Sequence, residues 1–176
     1  MHRKVALIRG INVGGHKKFP KIEQVHMLQD LGFADTEVYL HTGNWIFSTT
    51  ETNSALEHKF EEAIERSYGW NVSVIVRSAS EMAAIMNACP FSEEKKKKSY
   101  FALLQQRPSE EKIGALEKEH YPGEEFHIAE RCVYFYSEAG AAKAKLSTNF
   151  FEKMLKVQAT SRNYNTMSKI VALTMS

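Results

Sequence analysis

The order of apolar runs and turn residues predicts an α+β protein made of two subdomains. Short runs with a period of two residues, typical of strands, alternate with longer runs at helical spacing. Glycine or proline stands at most of the boundaries between them, and a similar element order recurs in the second half. A chain of 176 residues is long enough for two small subdomains that each bury a core.

The first half predicts the order β-α-β-β-α-β. Strands are predicted at residues 4–9, 37–40, 44–48 and 72–76, where apolar residues run together or alternate. One helix is predicted between Pro20 and Gly32, and a second from a capping box at Ser54 and Glu57 to Gly69. This order is that of the ferredoxin-like split βαβ arrangement.

The first helix is predicted to bury one apolar stripe, because its aliphatic residues recur on one helical face: Ile22, Val25, Leu28 and Leu31. A third helix is predicted at residues 80–89, opened by a capping box at Ser78 and Glu81. It completes the first subdomain, residues 1–90.

The second half repeats the order β-α-β-β-α less regularly. A strand at 100–105 and a helix from Pro108 to about residue 120 are followed by a hairpin, with strands at 125–129 and 132–136, and by helices at about 149–157 and 165–174. These elements form a smaller α+β subdomain, residues 99–176. Residues 91–98 include four lysines and are predicted to be a solvated basic linker, with a basic binding patch as the alternative.

Composition bears on the possible partners and on the compartment of the protein. The chain has 23 basic and 21 acidic residues, a balance that does not favour nucleic acid or an anionic membrane as a partner. Cys89 and Cys132 are predicted to be free, buried thiols in a reducing compartment. Neither a signal peptide nor a membrane span is indicated, so we expect a cytoplasmic protein without a membrane partner.

The most informative stretch is Arg9-Gly10-Ile11-Asn12-Val13-Gly14-Gly15, which follows the first strand. Glycines at this density are typical of a backbone that turns sharply or approaches a ligand closely. Such turns expose N–H groups that bind anions, Arg9 suits a carboxylate or phosphate, and Lys17 and Lys18 add positive charge. The structural alternative is a crossover turn in which the Asn12 side chain bonds to its own backbone.

The strand order predicts which other residues lie near this stretch. Because the first and third strands are antiparallel neighbours, Thr42-Gly43-Asn44 should lie beside Arg9 and Gly10. The start of the fourth strand, Trp70-Asn71, should reach the same edge, and Arg77 the opposite one. An ordinary hairpin turn is the structural alternative for residues 42–44.

A second polar cluster, Ser161-Arg162-Asn163-Tyr164-Asn165-Thr166, precedes the last helix, and Lys169 follows one turn later. Helix N-termini favour anions. We therefore expect both clusters to form one cleft for a small phosphorylated or carboxylated ligand. The structural alternatives are an Arg162 guanidinium that bonds to carbonyl groups and a helix cap at Asn163 or Asn165.

Known catalytic and cofactor motifs do not fit. His16 stands where a phosphate-binding P-loop needs lysine, and Asn12 where a dinucleotide fingerprint needs its second glycine. Histidines and cysteines are not at metal-ligand spacing, so no metal or cofactor is predicted. The residues indicate no reaction, and Lys169 is the one candidate for proton transfer if the protein is an enzyme.

Two other functions stay open. Trp45 and Phe47 alternate onto one face of the third strand, where RNA-recognition domains stack bases, although the first strand carries no aromatic residue. The protein is alternatively a non-catalytic interaction module in which the polar clusters only hold the fold together.

Four motifs together resemble the bacterial domain of unknown function family 1697: residues 6–15, residues 42–47, residues 74–78, and residues 159–166 with Lys169. The resemblance covers nearly the whole chain and implies a cytoplasmic bacterial α+β protein, with no activity to transfer. It marks as family-pattern positions Arg9, Gly10, Asn12, Gly14, Gly15, Gly43, Asn44, Arg162, Asn163, Asn165, Thr166 and Lys169. The chain departs from the pattern at Thr42, Ala144 and Tyr164, where Ser, Ser and Trp are usual.

Overall fold

The computed structural model describes residues 2–176, which form two compact units. The first unit comprises the residues up to Ala84 together with Lys169–Ser176, and the second comprises Ile85–Ser168. Each unit contains a four-stranded antiparallel sheet, so the predicted α+β class is confirmed. None of the helices in the described residues is long and apolar enough to cross a membrane.

The first unit has the predicted split βαβ strand order. Its strands are β1 (His2–Ile8), β2 (Glu37–Tyr39), β3 (Asn44–Thr49) and β4 (Val74–Ser78), in the sheet order β2-β3-β1-β4. Its helices are α1 (Lys21–Asp30) and α2 (Asn53–Tyr68), and α3 (Ala79–Asn87) follows β4. Helices α1 and α2 pack against the sheet face that carries Trp45 and Phe47.

The predicted apolar stripe of α1 is wrong at its first position. Ile22 is 60% exposed, and the fully buried residues of the helix are Gln24 and Leu28. A buried glutamine in phase with a leucine needs hydrogen-bond partners, because an unpaired carboxamide in a core costs about 1–3 kcal/mol.

Of the two predicted capping boxes, one forms. The hydroxyl of Thr52, not Ser54, caps α2, and Glu57 instead accepts a hydrogen bond from the Val76 N–H at 2.9 Å. The second box is confirmed, since Glu81 N–H donates to the Ser78 hydroxyl and the Glu81 carboxylate accepts from Ser78 N–H. Although burial opposes ionisation, these hydrogen bonds keep the pKa of the Glu81 carboxyl below its usual value.

The second unit repeats the topology of the first. Its strands are β5 (Tyr100–Leu104), β6 (Glu124–Ile128), β7 (Cys132–Ser137) and β8 (Ala159–Asn163), in the order β6-β7-β5-β8. Its helices are α4 (Glu93–Lys96), α5 (Glu110–Leu116) and α6 (Thr148–Leu155), and α7 (Tyr164–Met175) follows β8. Both cysteines are free and buried, as predicted, and burial raises the pKa of the Cys89 thiol.

Two elements of this unit differ from the sequence-based interpretation. Strand β8 lies where the sequence predicts neither a strand nor a helix, because its polar residues show no apolar alternation. The predicted linker contains the helix α4, which the Ser92 hydroxyl caps. The division into residues 1–90 and 99–176 stays a prediction.

Gly43 lies in the turn between β2 and β3 and packs against Ile8 of β1, and Gly32 is a matched control for this contact. Both have a φ of 83°, but a Cβ at Gly43 would lie 2.6 Å from Ile8 Cβ, whereas a Cβ at Gly32 would have no neighbour within 4 Å. We predict that Gly32→Ala lowers the free energy of unfolding by about 1 kcal/mol, the cost of the left-handed backbone alone. Gly43→Ala should lower it by about 3 kcal/mol, since overpacking adds to that cost. Urea denaturation measures both, and equal losses would contradict this description of the turn.

Candidate functional site

The residues at 9–18, here called the glycine loop, join β1 to α1 at one end of the first sheet. The Ile8 N–H donates to the Gly43 carbonyl at 2.9 Å, and the Arg9 N–H donates to the Ser73 carbonyl at 2.9 Å. The end of β1, the turn before β3 and the segment before β4 therefore meet at one end of the sheet, as the strand order requires.

Asn12 closes the glycine loop with its side chain. Its Oδ1 accepts a hydrogen bond from Phe19 N–H at 2.8 Å, and its Nδ2 donates to the Phe19 carbonyl at 2.8 Å and to the His41 carbonyl at 2.6 Å. Its φ of 53° is one that asparagine tolerates better than most residues. With these contacts Asn12 has a structural role, which is the alternative to a ligand contact. The bond to His41 also connects the loop to the turn before β3.

Gln24 is a structural residue of this region that the sequence-based interpretation missed. Its Nε2 donates to the carbonyls of Phe19 and His41 at 2.8 and 2.9 Å, and its Oε1 accepts from the indole N–H of Trp45 at 2.7 Å. The His41 carbonyl thus accepts from two side-chain amides. We call Asn12, Gln24 and this carbonyl the carboxamide cluster. The only signal for Gln24 in the sequence is that this polar residue stands one helical turn before Leu28.

The backbone of the glycine loop changes handedness several times. The residues with positive φ are Gly10, Asn12, Gly14, Gly15 and Lys17, and the residues between them do not have it. Two hydrogen bonds tighten the turn, from Asn12 N–H to the Lys17 carbonyl and from His16 N–H to the Val13 carbonyl. A change of handedness between neighbouring residues directs successive N–H groups to one side, a geometry that binds anions. Gly14 and Gly15, both of positive φ, are exposed at the tip of this loop.

The stretch of chain around this tip is basic. No acidic residue occurs between positions 9 and 22, a stretch that contains Arg9, Lys17, Lys18 and Lys21. Lys17 Nζ donates to the Asn71 carbonyl at 3.2 Å, which holds the ammonium group beside the segment before β4. Lys18 is exposed and Arg9 is half-buried.

The turn before β3 is mostly buried. Asn44 is fully buried, and its Nδ2 donates to the Tyr39 carbonyl at 2.8 Å and to the Thr42 hydroxyl at 3.4 Å. Gly43 is buried against Ile8, and Thr42 is half-buried. These contacts stabilise the turn, and a ligand contact from residues 42–44 stays a prediction.

The second polar cluster is described within its own unit. Arg162 lies on β8, where its Nη1 donates to the Thr160 hydroxyl and the Ser161 carbonyl, both at 2.9 Å. Asn163 caps α7, because its Oδ1 accepts from the N–H of Thr166 at 2.9 Å. Thr166 is buried and Asn165 is exposed. Lys169 is exposed as well, and it lies on the part of α7 that belongs to the first unit. That both clusters contact one ligand stays a prediction.

The aromatic residues of β3 do not form an RNA-binding surface. Trp45 and Phe47 are both 0% exposed, and their ring centroids lie 5.2 and 5.3 Å from that of Phe60. Rings enclosed in this core cannot stack on bases.

A groove of about 420 Å³ runs between α1 and α2, and its lining includes Glu23, His26, Asp30 and Tyr68. The Tyr68 hydroxyl donates to the Glu23 carboxylate. Burial, together with this carboxylate, raises the pKa of Tyr68 to about 12. Across residues 2–176, no three His, Cys, Asp or Glu side chains are placed to hold a metal ion.

Comparison with known proteins supports the fold and assigns no activity to the chain. A family described as a protein of unknown function (DUF1697) matches residues 1–134. The structure of a conserved bacterial protein, SP0830 from Streptococcus pneumoniae, is similar with a TM-score of 0.78 and 23% identity, over 98% of each chain. At that identity the likeness shows the fold alone. None of the curated proteins matches the chain.

The carboxamide cluster is tested by Gln24→Leu. This change leaves the Trp45 indole N–H buried without its acceptor and should lower the free energy of unfolding by about 2–3 kcal/mol. The matched control is Gln29→Leu on the exposed face of the same helix, which should change it by less than about 0.5 kcal/mol. Chemical denaturation followed by Trp fluorescence measures both variants. If Gln24→Leu lowers the free energy of unfolding as little as Gln29→Leu does, the buried hydrogen bonds of Gln24 do not stabilise the fold.

Proposed function

Since the chain belongs to the DUF1697 family of proteins of unknown function, we propose a function from the geometry of its first unit: the glycine loop binds a small ligand through a phosphate or carboxylate group. The observation that carries the proposal is the exposed tip at Gly14 and Gly15, two consecutive residues of positive φ in a basic stretch of chain whose backbone changes handedness on either side of them. The ligand itself is an organic phosphate or a carboxylic acid.

The backbone supplies the recognition in this proposal. Exposed N–H groups at Gly14 and Gly15 donate to the anion's oxygens, and glycine at both positions allows the anion to approach the main chain. The side chain of Asn12 holds the loop in this shape before the ligand arrives. Binding then loses less conformational entropy than it would with a flexible loop.

Cationic side chains supply the charge. Lys17 and Lys18 flank the tip, and Arg9 suits a bidentate contact with a carboxylate or phosphate. In the second unit, the guanidinium of Arg162 beside the start of α7 is proposed as an anion contact of the same chemical kind. Asn12, Gly43 and Asn44 position these groups, and a direct ligand contact from them stays a prediction.

A second candidate function is favoured by the hydrogen bonds themselves. The side chains of Asn12, Asn44 and Arg162 all bond to protein groups. The chain would then be an interaction module in which the polar clusters only stabilise the fold.

Titration with inorganic phosphate separates the two candidates. We expect amide ¹⁵N–¹H shifts concentrated at Gly14, Gly15 and Lys17, because these groups line the proposed site. Lys17→Gln with Lys18→Gln should weaken binding by about tenfold or more, since a hydrogen bond to a charged group contributes about 1.5–3 kcal/mol. The control pair Lys118→Gln and Lys153→Gln, two exposed lysines of the second unit, should leave the affinity unchanged.

Two outcomes would count against an anion site at the glycine loop. Shifts confined to residues 162–166 would move the anion site to the second unit. Absence of any shift in a stably folded protein would favour the interaction module.

A further inference from the structure

A groove of about 420 Å³ runs along one edge of β6 in the second unit. Its lining includes four consecutive residues of that strand, Glu124, Glu125, Phe126 and His127. Successive side chains of a strand point to opposite faces of the sheet, so a groove lined by all four follows the edge of the strand. Strand β6 pairs with β7 on its other side, and the groove therefore lies along its outer edge.

Backbone groups of β6 point toward this groove. Strands β6 and β7 are antiparallel, and the Ala129 N–H donates to the Cys132 carbonyl at 2.8 Å on the same ladder. In such a ladder alternate residues bond to the neighbouring strand, so the N–H and carbonyl groups of Phe126 and Ile128 point away from β7. An outer edge with this arrangement is a template on which a further strand can pair.

Side chains cover the outer edges of β4 and β8 instead. The Val74 N–H on β4 donates to the Glu61 carboxylate at 3.0 Å, and the Ala159 N–H on β8 donates to the Glu152 carboxylate at 3.0 Å. These carboxylates occupy the place of a further strand. Strand β2 has three residues and β6 has five, so β6 offers the longer edge for pairing.

The two walls of the groove differ in chemistry. Glu117 and Glu119 follow α5, whose Leu116 packs in the same core as Phe126, so they form the wall on that face of the sheet. Pro90 and Phe91 follow α3 and form the other wall. Helix α3 contacts the opposite face of the sheet, where the hydroxyl of Tyr134 donates to the Ile85 carbonyl at 2.8 Å.

The charge of the groove is negative. Its acidic and basic lining residues are two histidines and four glutamates: Glu117, Glu119, Glu124 and Glu125. Glu125 pairs with Lys95, and the Glu124 carboxylate accepts from the backbone N–H groups of Lys145 and Leu146, both at 2.9 Å. Glu117 is exposed, and the half-buried Glu119 accepts from the neutral hydroxyl of Tyr121, so both keep their charge. Such a groove attracts cations and repels the phosphates of a nucleic acid.

We propose that β6 binds an extended, basic segment of a partner protein as an added strand. Lysine or arginine side chains of that segment lie on the wall of Glu117 and Glu119, and the alternate, apolar side chains lie on the wall of Pro90 and Phe91. Main-chain hydrogen bonds give such a complex its affinity, and the alternating side chains give it specificity. A second copy paired through β6 is a poorer occupant, because two acidic grooves would meet. This site lies in the second unit, apart from the glycine loop.

A fluorescently labelled peptide of alternating lysine and valine, titrated into the full chain at low salt, tests the chemistry of the groove. Anisotropy should show that this peptide binds and that its glutamate–valine counterpart does not. Glu117→Gln with Glu119→Gln should weaken binding of the lysine peptide about fivefold, since each exposed ion pair contributes modestly. Glu62→Gln with Glu65→Gln, two exposed glutamates of the first unit, is the matched control and should leave the affinity unchanged.

N-methylated peptides test the strand pairing. One edge of the bound peptide faces β6, and the N–H groups on that edge belong to alternate residues. N-methylation of one alternate set should therefore weaken binding by about tenfold or more, because the hydrogen bonds to β6 are lost. N-methylation of the other set should leave it nearly unchanged. Binding of the unmethylated peptide should shift the amide ¹⁵N–¹H signals of Phe126 and Ile128.

Five results would overturn the inference in a chain that circular dichroism shows to be folded. The lysine peptide does not bind, or the glutamate peptide binds equally well. Both N-methylated peptides bind as tightly as the parent, which excludes strand pairing. The Glu117 and Glu119 variant binds as tightly as the control variant. Spermine produces the same amide shifts with the same affinity, which would assign the groove to a small polyamine. Sedimentation velocity without peptide shows self-association that shifts the same amides, which would assign the edge to a second copy.

Discussion

The His41 carbonyl accepts hydrogen bonds from the side chains of Asn12 and Gln24, and the end of the first sheet depends on this interaction. It joins three segments that are separate in sequence: the glycine loop, helix α1 and the turn after β2. Gln24 extends the connection into the core through the indole of Trp45. The hydrogen bonds of the buried Gln24 side chain fix one arrangement, because any alternative leaves its carboxamide or the Trp45 indole unpaired away from water.

This interaction separates positioning residues from candidate contact residues. The carboxamides of Asn12, Gln24 and Asn44 bond to the backbone and set the shape of the loop and turn. The exposed groups of the loop include the glycine tip and Lys18, and Lys17 is half-buried. A ligand would therefore meet main-chain amides and positive charge, on a loop whose form is set by side-chain amides.

The strand order could be predicted from the sequence because it follows from apolar periodicity and from few possible topologies. Once β1 and β3 are neighbours, the glycine loop and the turn at Gly43 must share an edge. Strand β8 could not be found in this way. It pairs with β5 through its backbone, and its residues Thr160, Ser161 and Arg162 show no apolar alternation.

The candidate site was predictable in part. Glycine density and charge identified the loop, and the capping role of Asn163 follows from its place before α7. Gln24 was missed because its burial depends on partners from Phe19, His41 and Trp45, which only the folded chain brings together. Likewise, the exposure of Ile22 depends on where α1 begins and on what packs against its other face.

The central claim is that the shape of the glycine loop, as well as its charge, creates the anion site. Asn12→Ala tests this claim directly, because it removes the closing hydrogen bonds and keeps every cation. We predict that phosphate affinity, measured by calorimetry, falls by about tenfold or more while the strands of the first sheet keep their protection from hydrogen exchange. Unchanged affinity in a variant whose loop amides exchange faster would contradict the claim.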